Sequence, residues 1–175
     1  MKIGDPAPYF SLSGTDGRIY SLREFADKPV LVILFTSNHC PYSQAYEKRL
    51  AELALEYAPN QVQFIAICSN DASAYPEDNF EHMVEKAQSL GLPYPYLHDP
   101  NQVAAKAFDA ACTPEAYVFN IDRVLVYHGA IDDNYNDASQ VKKHFLEDAI
   151  SAALSGEPIE NPVTSVFGCT IKWKL

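Results

Sequence analysis

The stretch VLVILFTSNHCPYS, Val30 to Ser43, sets a buried strand against the start of a helix, with a cysteine at the junction. Its first six residues are continuously apolar and rich in β-branched side chains, the pattern of a strand covered on both faces, so Val30 to Phe35 is predicted to lie centrally in a sheet. Beyond it Tyr42, Tyr46, Leu50, Leu53 and Tyr57 recur at helical spacing and Pro59 blocks continuation, which predicts a helix from Pro41 to Tyr57. Cys40 precedes that helix directly, and Pro41 takes its favoured first position. Unpaired N–H groups and the positive end of the helix dipole stabilise a thiolate at such a point and make the thiol a nucleophile. The plainer alternative is a free cysteine that only packs at a helix start. Its neighbours Asn38, His39 and Ser43 are polar, however, and a core cysteine prefers apolar ones.

Outward from this junction, strand and helix patterns alternate, the signature of an α/β sheet. Phe10 to Leu12 and Arg18 to Ser21 flank Ser-Gly-Thr-Asp-Gly and read as an N-terminal β-hairpin extension. Val62 to Cys68 is the next strand. Phe80, Met83, Val84, Ala87 and Leu90 form an amphipathic helix ended by Gly91, after which Pro93 and Pro95 break the chain. Val103 to Phe108 reads as a short helix, Ala116 to Ile121 and Val124 to Tyr127 as adjacent strands, and Val141 to Leu154 as a final helix. The tail from Ser155 is interrupted by Gly156, Pro158, Pro162 and Gly168, so it is predicted to be irregular. Its Val163, Val166, Phe167 and Trp173 should pack it back on the domain.

A chain of 175 residues fits a single domain spanning 1–175, and 47% hydrophobic with 21% charged residues excludes disorder throughout. Thirteen Lys plus Arg against 23 Asp plus Glu give a net charge of −10, with no basic patch to offset it, so no nucleic acid partner is expected. The opening MKIGDPAPYF lacks the apolar core of a secretory signal, and Val30 to Phe35 is far short of the roughly 20 residues that cross a bilayer. A cytoplasmic location without membrane insertion is the expectation. The four cysteines Cys40, Cys68, Cys112 and Cys169 include no C-x-x-C, which argues against a zinc knuckle or a dense disulfide scaffold.

Taken in order, the opening KIGDPAPYFSL, NHCPY, SNDASAYPEDNFEHM, PYPYLHD, ACTPEAYVFN, the turn GAIDDN and the terminal GCTIKWK resemble the thioredoxin superfamily nearly end to end. Within it they are most similar to the peroxiredoxin-like branch, the redoxin or alkyl hydroperoxide reductase and thiol-specific antioxidant group. The resemblance implies a thioredoxin-like α/β fold, a central mixed sheet flanked by helices. It matches Cys40 to the attacking cysteine and Pro114 to the cis-proline, with Thr113 presenting its backbone to a mixed-disulfide partner. Three positions depart from the pattern. Ser43 stands where a dithiol thioredoxin has its second cysteine. Ser37 occupies the place of the peroxiredoxin threonine three residues before the cysteine. Val124 to His128 offers no arginine to hold peroxide, and only Tyr127 or His128 could substitute.

Cys112, two residues before Pro114, could resolve an oxidised Cys40 or be a small core residue, and Cys169 could do the same from the tail or pack beside Trp173. Because the loop before the proline is fixed by the implied fold while the tail must be ordered to reach, Cys112 is the expected resolving thiol. Cys68, closing an apolar strand, reads as core. His39, His82, His98, His128 and His144 form no helical ligand pair, so no metal is expected, and the run Asp132 to Asp137 lacks calcium-loop spacing and reads as a solvated turn capping the last helix. The junction thiol and the resemblance together predict a thiol-dependent oxidoreductase. Its Cys40 thiolate would attack a hydroperoxide or a protein or small-molecule disulfide, peroxide being favoured because one helix-start cysteine suffices for it. No cofactor is needed, and an external thiol reductant such as a thioredoxin-like protein or glutathione would restore the enzyme. The competing class is a non-catalytic thioredoxin-fold module that binds a protein or senses redox state.

Overall fold

The computed structural model describes residues 1–175. The predicted junction forms as β3 (Val30–Thr36) followed by α1 (Pro41–Tyr57), with Cys40 as the helix N-cap and Pro41 in the first turn. β3 runs parallel to β4 (Val62–Cys68), Val30 opposite Val62, and antiparallel to β7 (Glu115–Phe119), Leu31 opposite Phe119. With β1 (Ser11–Gly14), β2 (Ile19–Ser21), β5 (Tyr96–His98) and β8 (Leu125–Gly129) they make one mixed sheet in the order β2-β1-β5-β4-β3-β7-β8. Strand periodicity divides the core cleanly. Val30, Val32 and Leu34 pack with Leu50 of α1, Met83 of α2 (Phe80–Leu90) and Ile150 of α4 (Phe145–Ser155). Leu31, Ile33 and Phe35 face the other way, toward Phe10, Tyr20 and Phe108, beside α3 (Val103–Ala107). Helices thus flank both faces of the sheet, the thioredoxin-like arrangement that the resemblance implies.

Three local expectations change. Pro93 and Pro95 do not end the sheet. The Pro95 carbonyl accepts from Ala66 at 3.0 Å, and Tyr96–His98 continues as a strand bonded to both β4 and β1, a proline being tolerated where a strand begins. α4 starts four residues later than predicted, because the backbone of Lys142 and Lys143 is tied to Asp133 instead. The acidic turn is therefore no cap for α4, and it is not simply solvated. Asp132 is buried and accepts from Tyr46 Oη at 2.6 Å and Arg49 Nη1 at 2.8 Å, pinning α1 to the end of β8.

The tail is irregular for most of its length but is tied down at several points. Thr164 Oγ1 accepts from the Ala130 N–H, Lys172 bonds Asp71 and Asn70, and Gln102 holds the Lys172 carbonyl. Between these anchors β9 (Cys169–Thr170) pairs antiparallel with β6 (Cys112–Thr113) in a separate two-stranded ribbon. No helix is long and apolar enough to cross a membrane.

Candidate active site

Cys40 lies at the C-terminal edge of β3, where the loop Ser37 to His39 turns the chain into α1. That loop is held by one buried carboxylate. Asp78 accepts from Ser37 Oγ at 2.8 Å, the Asn38 N–H at 2.6 Å, Asn70 Nδ2 at 2.7 Å and His39 Nδ1 at 2.8 Å. Ser37 Oγ in turn accepts from the Cys40 N–H at 3.2 Å, so the carboxylate fixes the backbone that carries the thiol.

Facing Cys40 is the segment before Pro114, and the Thr113-Pro114 bond is cis, as the resemblance implies. The Glu115 carboxylate holds the Ala111 and Cys112 N–H groups, and the Thr113 carbonyl accepts the Cys40 thiol proton at 3.2 Å. Cys40 itself is only 1% exposed. Burial is the largest single influence on its thiol and pushes its pKa up, but it is outweighed. The Thr113 hydroxyl, the Cys169 thiol and the N–H groups of Ser43 and Cys169 all favour the thiolate, and the pKa falls below the ordinary thiol value. With Cys40 protonated, Thr113 Oγ1 completes no hydrogen bond, so it is free to turn to the sulfur when that ionises; Ser43 Oγ is likewise buried without a partner.

The other thiols move in the opposite direction. Cys68 is fully buried in the core, as expected, and burial pushes it up to about 12. Cys112 is raised by burial, then by the charges of Glu115 and Cys40. Cys169 is raised to about 11 by burial, by its hydrogen-bonding interaction with Cys40 and by the Cys40 charge. Cys112, the resolving thiol expected from the sequence, feels the Cys40 charge, while Cys169, on the ordered tail, also stands within hydrogen-bonding reach of the Cys40 sulfur.

The AhpC/TSA family signature matches residues 3–128. The chain belongs to the AhpC/TSA family. This AhpC/TSA chain is similar to peroxiredoxin Q, chloroplastic, of Oryza sativa subsp. japonica, 25% identical over 162 residues that span 84% of this chain and 64% of that one. It therefore covers less than two thirds of that relative's length. Among solved structures, an uncharacterized conserved protein from Geobacillus kaustophilus superposes with a TM-score of 0.93 at 42% identity, covering 99% of this chain and 93% of that one. A thiol:disulfide interchange protein of the thioredoxin family from Chlorobium tepidum TLS gives 0.67 at 16% identity over 88% of this chain and 99% of that one, a likeness of fold alone. Thiol-dependent redox chemistry is the class of function this family carries.

Within this AhpC/TSA chain the serine and arginines weighed as peroxide-holding groups have other partners. Ser37 spends its proton on Asp78. Arg49 is committed to Asp132 and the Asn134 and Tyr135 carbonyls, Arg123 to the Asn120 and Lys28 carbonyls, Arg18 to Glu24, and Arg23 lies over Tyr9. Both candidate substitutes have other partners: Tyr127 bonds Ala130 and Thr164, and His128 stacks on Tyr117. What adjoins the cis-proline is a cavity of about 430 Å³, lined among others by Pro114, Ile131, Tyr135 and Phe167, the last 71% exposed.

Proposed function

We propose that this protein is a thiol–disulfide oxidoreductase in which Cys40 is the attacking thiolate and Thr113 and Pro114 form the wall that receives the substrate disulfide. The observation that carries the reading is the surroundings of Cys40. Its thiolate is favoured by N–H, hydroxyl and thiol donors, against a cis-proline wall and an apolar cavity, while every arginine is engaged elsewhere. A disulfide needs an in-line approach to a thiolate and a leaving sulfur. Peroxiredoxins also use an arginine to hold the thiolate and the peroxide, and the four arginines of this chain are committed to other partners. Hydroperoxide reduction is the second reading, supported by membership of the AhpC/TSA family and the likeness to peroxiredoxin Q. Both use an external thiol reductant, a thioredoxin-like protein or glutathione. The four cysteines are free thiols, which suits a reducing compartment such as the cytoplasm.

The test is turnover with dithiothreitol as reductant, run in parallel on insulin disulfides and on hydrogen peroxide or cumene hydroperoxide. Insulin reduction above background that vanishes in Cys40→Ser is the expected result. Cys40-dependent peroxide consumption without insulin reduction would transfer the assignment to the peroxidase reading. Stoichiometric oxidation of Cys40 with no turnover in either assay would make the protein a sensor.

A further inference from the structure

The backbone edge of Thr113 is paired with this chain's own tail, so the wall of Thr113 and Pro114 is open to a substrate on the side of the Pro114 cavity. In the β6–β9 ribbon Thr113 stands directly opposite Cys169, and Cys112 opposite Thr170. Directly opposed residues of an antiparallel pair project to the same face, so Cys169 shares the face of Thr113 while Cys112 points to the other. The Thr113 hydroxyl and the Cys169 thiol both stand within hydrogen-bonding reach of the Cys40 sulfur, so the face they share is the face turned to Cys40. Gly168 presses against the Thr113 carbonyl. A Cβ there would fall on the Thr113 oxygen and lie 2.9 Å from its carbon, so the tail approaches as closely as only glycine permits. The ribbon is held on both sides, by Ile171 N–H on the Ala111 carbonyl at 2.9 Å and by Lys172 on Asn70 Oδ1 at 2.8 Å.

We infer that Cys169 is the second redox thiol, closing a reversible intramolecular disulfide with Cys40. This rests on Cys40 being the attacking thiol, as proposed above. When the Cys40 thiolate attacks a substrate disulfide, one S–S bond breaks, a mixed disulfide forms and one substrate thiolate leaves. The Cys169 thiolate then attacks the Cys40 sulfur, forming Cys40–Cys169 and releasing the second substrate thiolate. The substrate has gained two electrons and the enzyme has lost them. An external dithiol returns the pair to the reduced state. With a hydroperoxide the first step gives a Cys40 sulfenic acid and an alcohol, and the second releases water. The sequence of events has an electrostatic order. The Cys40 charge helps hold the Cys169 proton, and once Cys40 is covalently linked that charge is gone and Cys169 is freed to ionise.

The test uses the full chain with one equivalent of glutathione disulfide or of hydrogen peroxide, quenched with an alkylating agent and read by intact mass and peptide mapping. The expected product carries a Cys40–Cys169 link and loses two hydrogens. Cys169→Ser should abolish that link and leave Cys40 trapped as a glutathione adduct or a dimedone-reactive sulfenic acid, while Cys112→Ser should behave as the parent. Gly168→Ala, which displaces the tail without removing a thiol, should slow closure of the link but not the first modification of Cys40. A Cys40–Cys112 link, or a parent that stops at the adduct, would overturn the inference and leave the proposed function standing. A Cys40 that neither probe modifies in any variant would overturn both.

Discussion

Replacing Asp78 by asparagine tests how the Cys40 loop is built. The carboxylate is fully buried and accepts from four donors: three on one oxygen, from Ser37, Asn70 and His39, and one on the other, from the Asn38 N–H. An amide keeps the volume but turns one oxygen into a donor. In its better orientation the amide oxygen keeps the three side-chain donors, now without charge assistance, and the NH₂ meets the Asn38 N–H head on. Losing one charge-assisted hydrogen bond costs about 1.5–3 kcal/mol, and the orphaned donor adds about 1–3 kcal/mol, so a loss of roughly 3–5 kcal/mol is expected. With a urea m-value of about 2 kcal/mol/M the midpoint should fall by roughly 2 M. The single tryptophan, Trp173, provides the fluorescence signal. Iodoacetamide alkylation of Cys40 below the midpoint reports the site separately. Asp99→Asn is the matched control, since Asp99 is equally buried and accepts from Ser69 Oγ and three N–H groups at the start of α3, away from Cys40. Both variants should lose comparable stability, and only Asp78→Asn should change the Cys40 alkylation rate. A midpoint within about 0.5 M of the parent would show that the four bonds contribute little net stability. A Cys40 rate altered equally by Asp99→Asn would show that Asp78 acts through global stability.

Cys40 should alkylate first among the four cysteines, with a rate that rises through a pKa below the ordinary thiol value, and Cys68 should remain unlabelled until unfolding; peptide mapping across a pH series reads both. Gly129→Ala should destabilise by about 1–3 kcal/mol, because Gly129 holds φ +144 and a Cβ there would fall on Thr164, whose hydroxyl ties the tail to Ala130 and Tyr127; denaturant unfolding measures it. Burial holds the His98 pKa below its ordinary value despite the opposing charge of Asp99. The unfolded chain therefore binds the extra proton first, and stability that is complete above about pH 6.5 is lost as pH falls below it. His98→Phe, which keeps the stack on Phe80, should flatten the dependence of Tm on pH in that range.

Legibility in the sequence followed the physics of each element. Val30 to Thr36 and Val62 to Cys68 could be read because strands covered on both faces need uninterrupted apolar side chains, and α1 because its stripe and its proline are local signals. β5 was hidden because three residues between a Pro-rich stretch and an Asp carry no periodicity, and its pairing with β4 and β1 is non-local. Asp78 was hidden for a different reason. In SNDASAYPEDNF it looks like any acid of a polar turn, and only the tertiary fold reveals that the turn folds inward over the Cys40 loop. The resemblance groups Cys40, Thr113 and Pro114, and the fold does set Cys40 on the Thr113 carbonyl beside a cis Pro114, whereas the positions of Cys112 and Cys169 relative to Cys40 carry no such signal. They depend on which face of a two-residue ribbon each thiol occupies, and a ribbon between residues so distant leaves no pattern in either segment.

That distance gives the pairing of Cys40 with Cys169 its force. In an unfolded chain, joining positions roughly 130 residues apart costs about 5 kcal/mol of loop-closure entropy, equivalent to between three and four orders of magnitude in the local concentration of one thiol near the other. Folding has already met that cost through the anchors on Asn70, Gln102 and Ala111, none of which involves a sulfur. A dithiol such as C-x-x-C achieves the same proximity through four adjacent residues of one helix start. Here Ser43 fills the second position, and the tail brings a thiol to the sulfur from the opposite wall of the cleft. The two arrangements differ in how they can be disturbed. A helix-borne pair is lost only with the helix, whereas a tail-borne pair separates whenever the β6–β9 ribbon opens. The redox couple of this protein is therefore coupled to the docking of its last residues: a partner that lifts the tail withdraws the second thiol, and formation of the Cys40–Cys169 link locks the tail down.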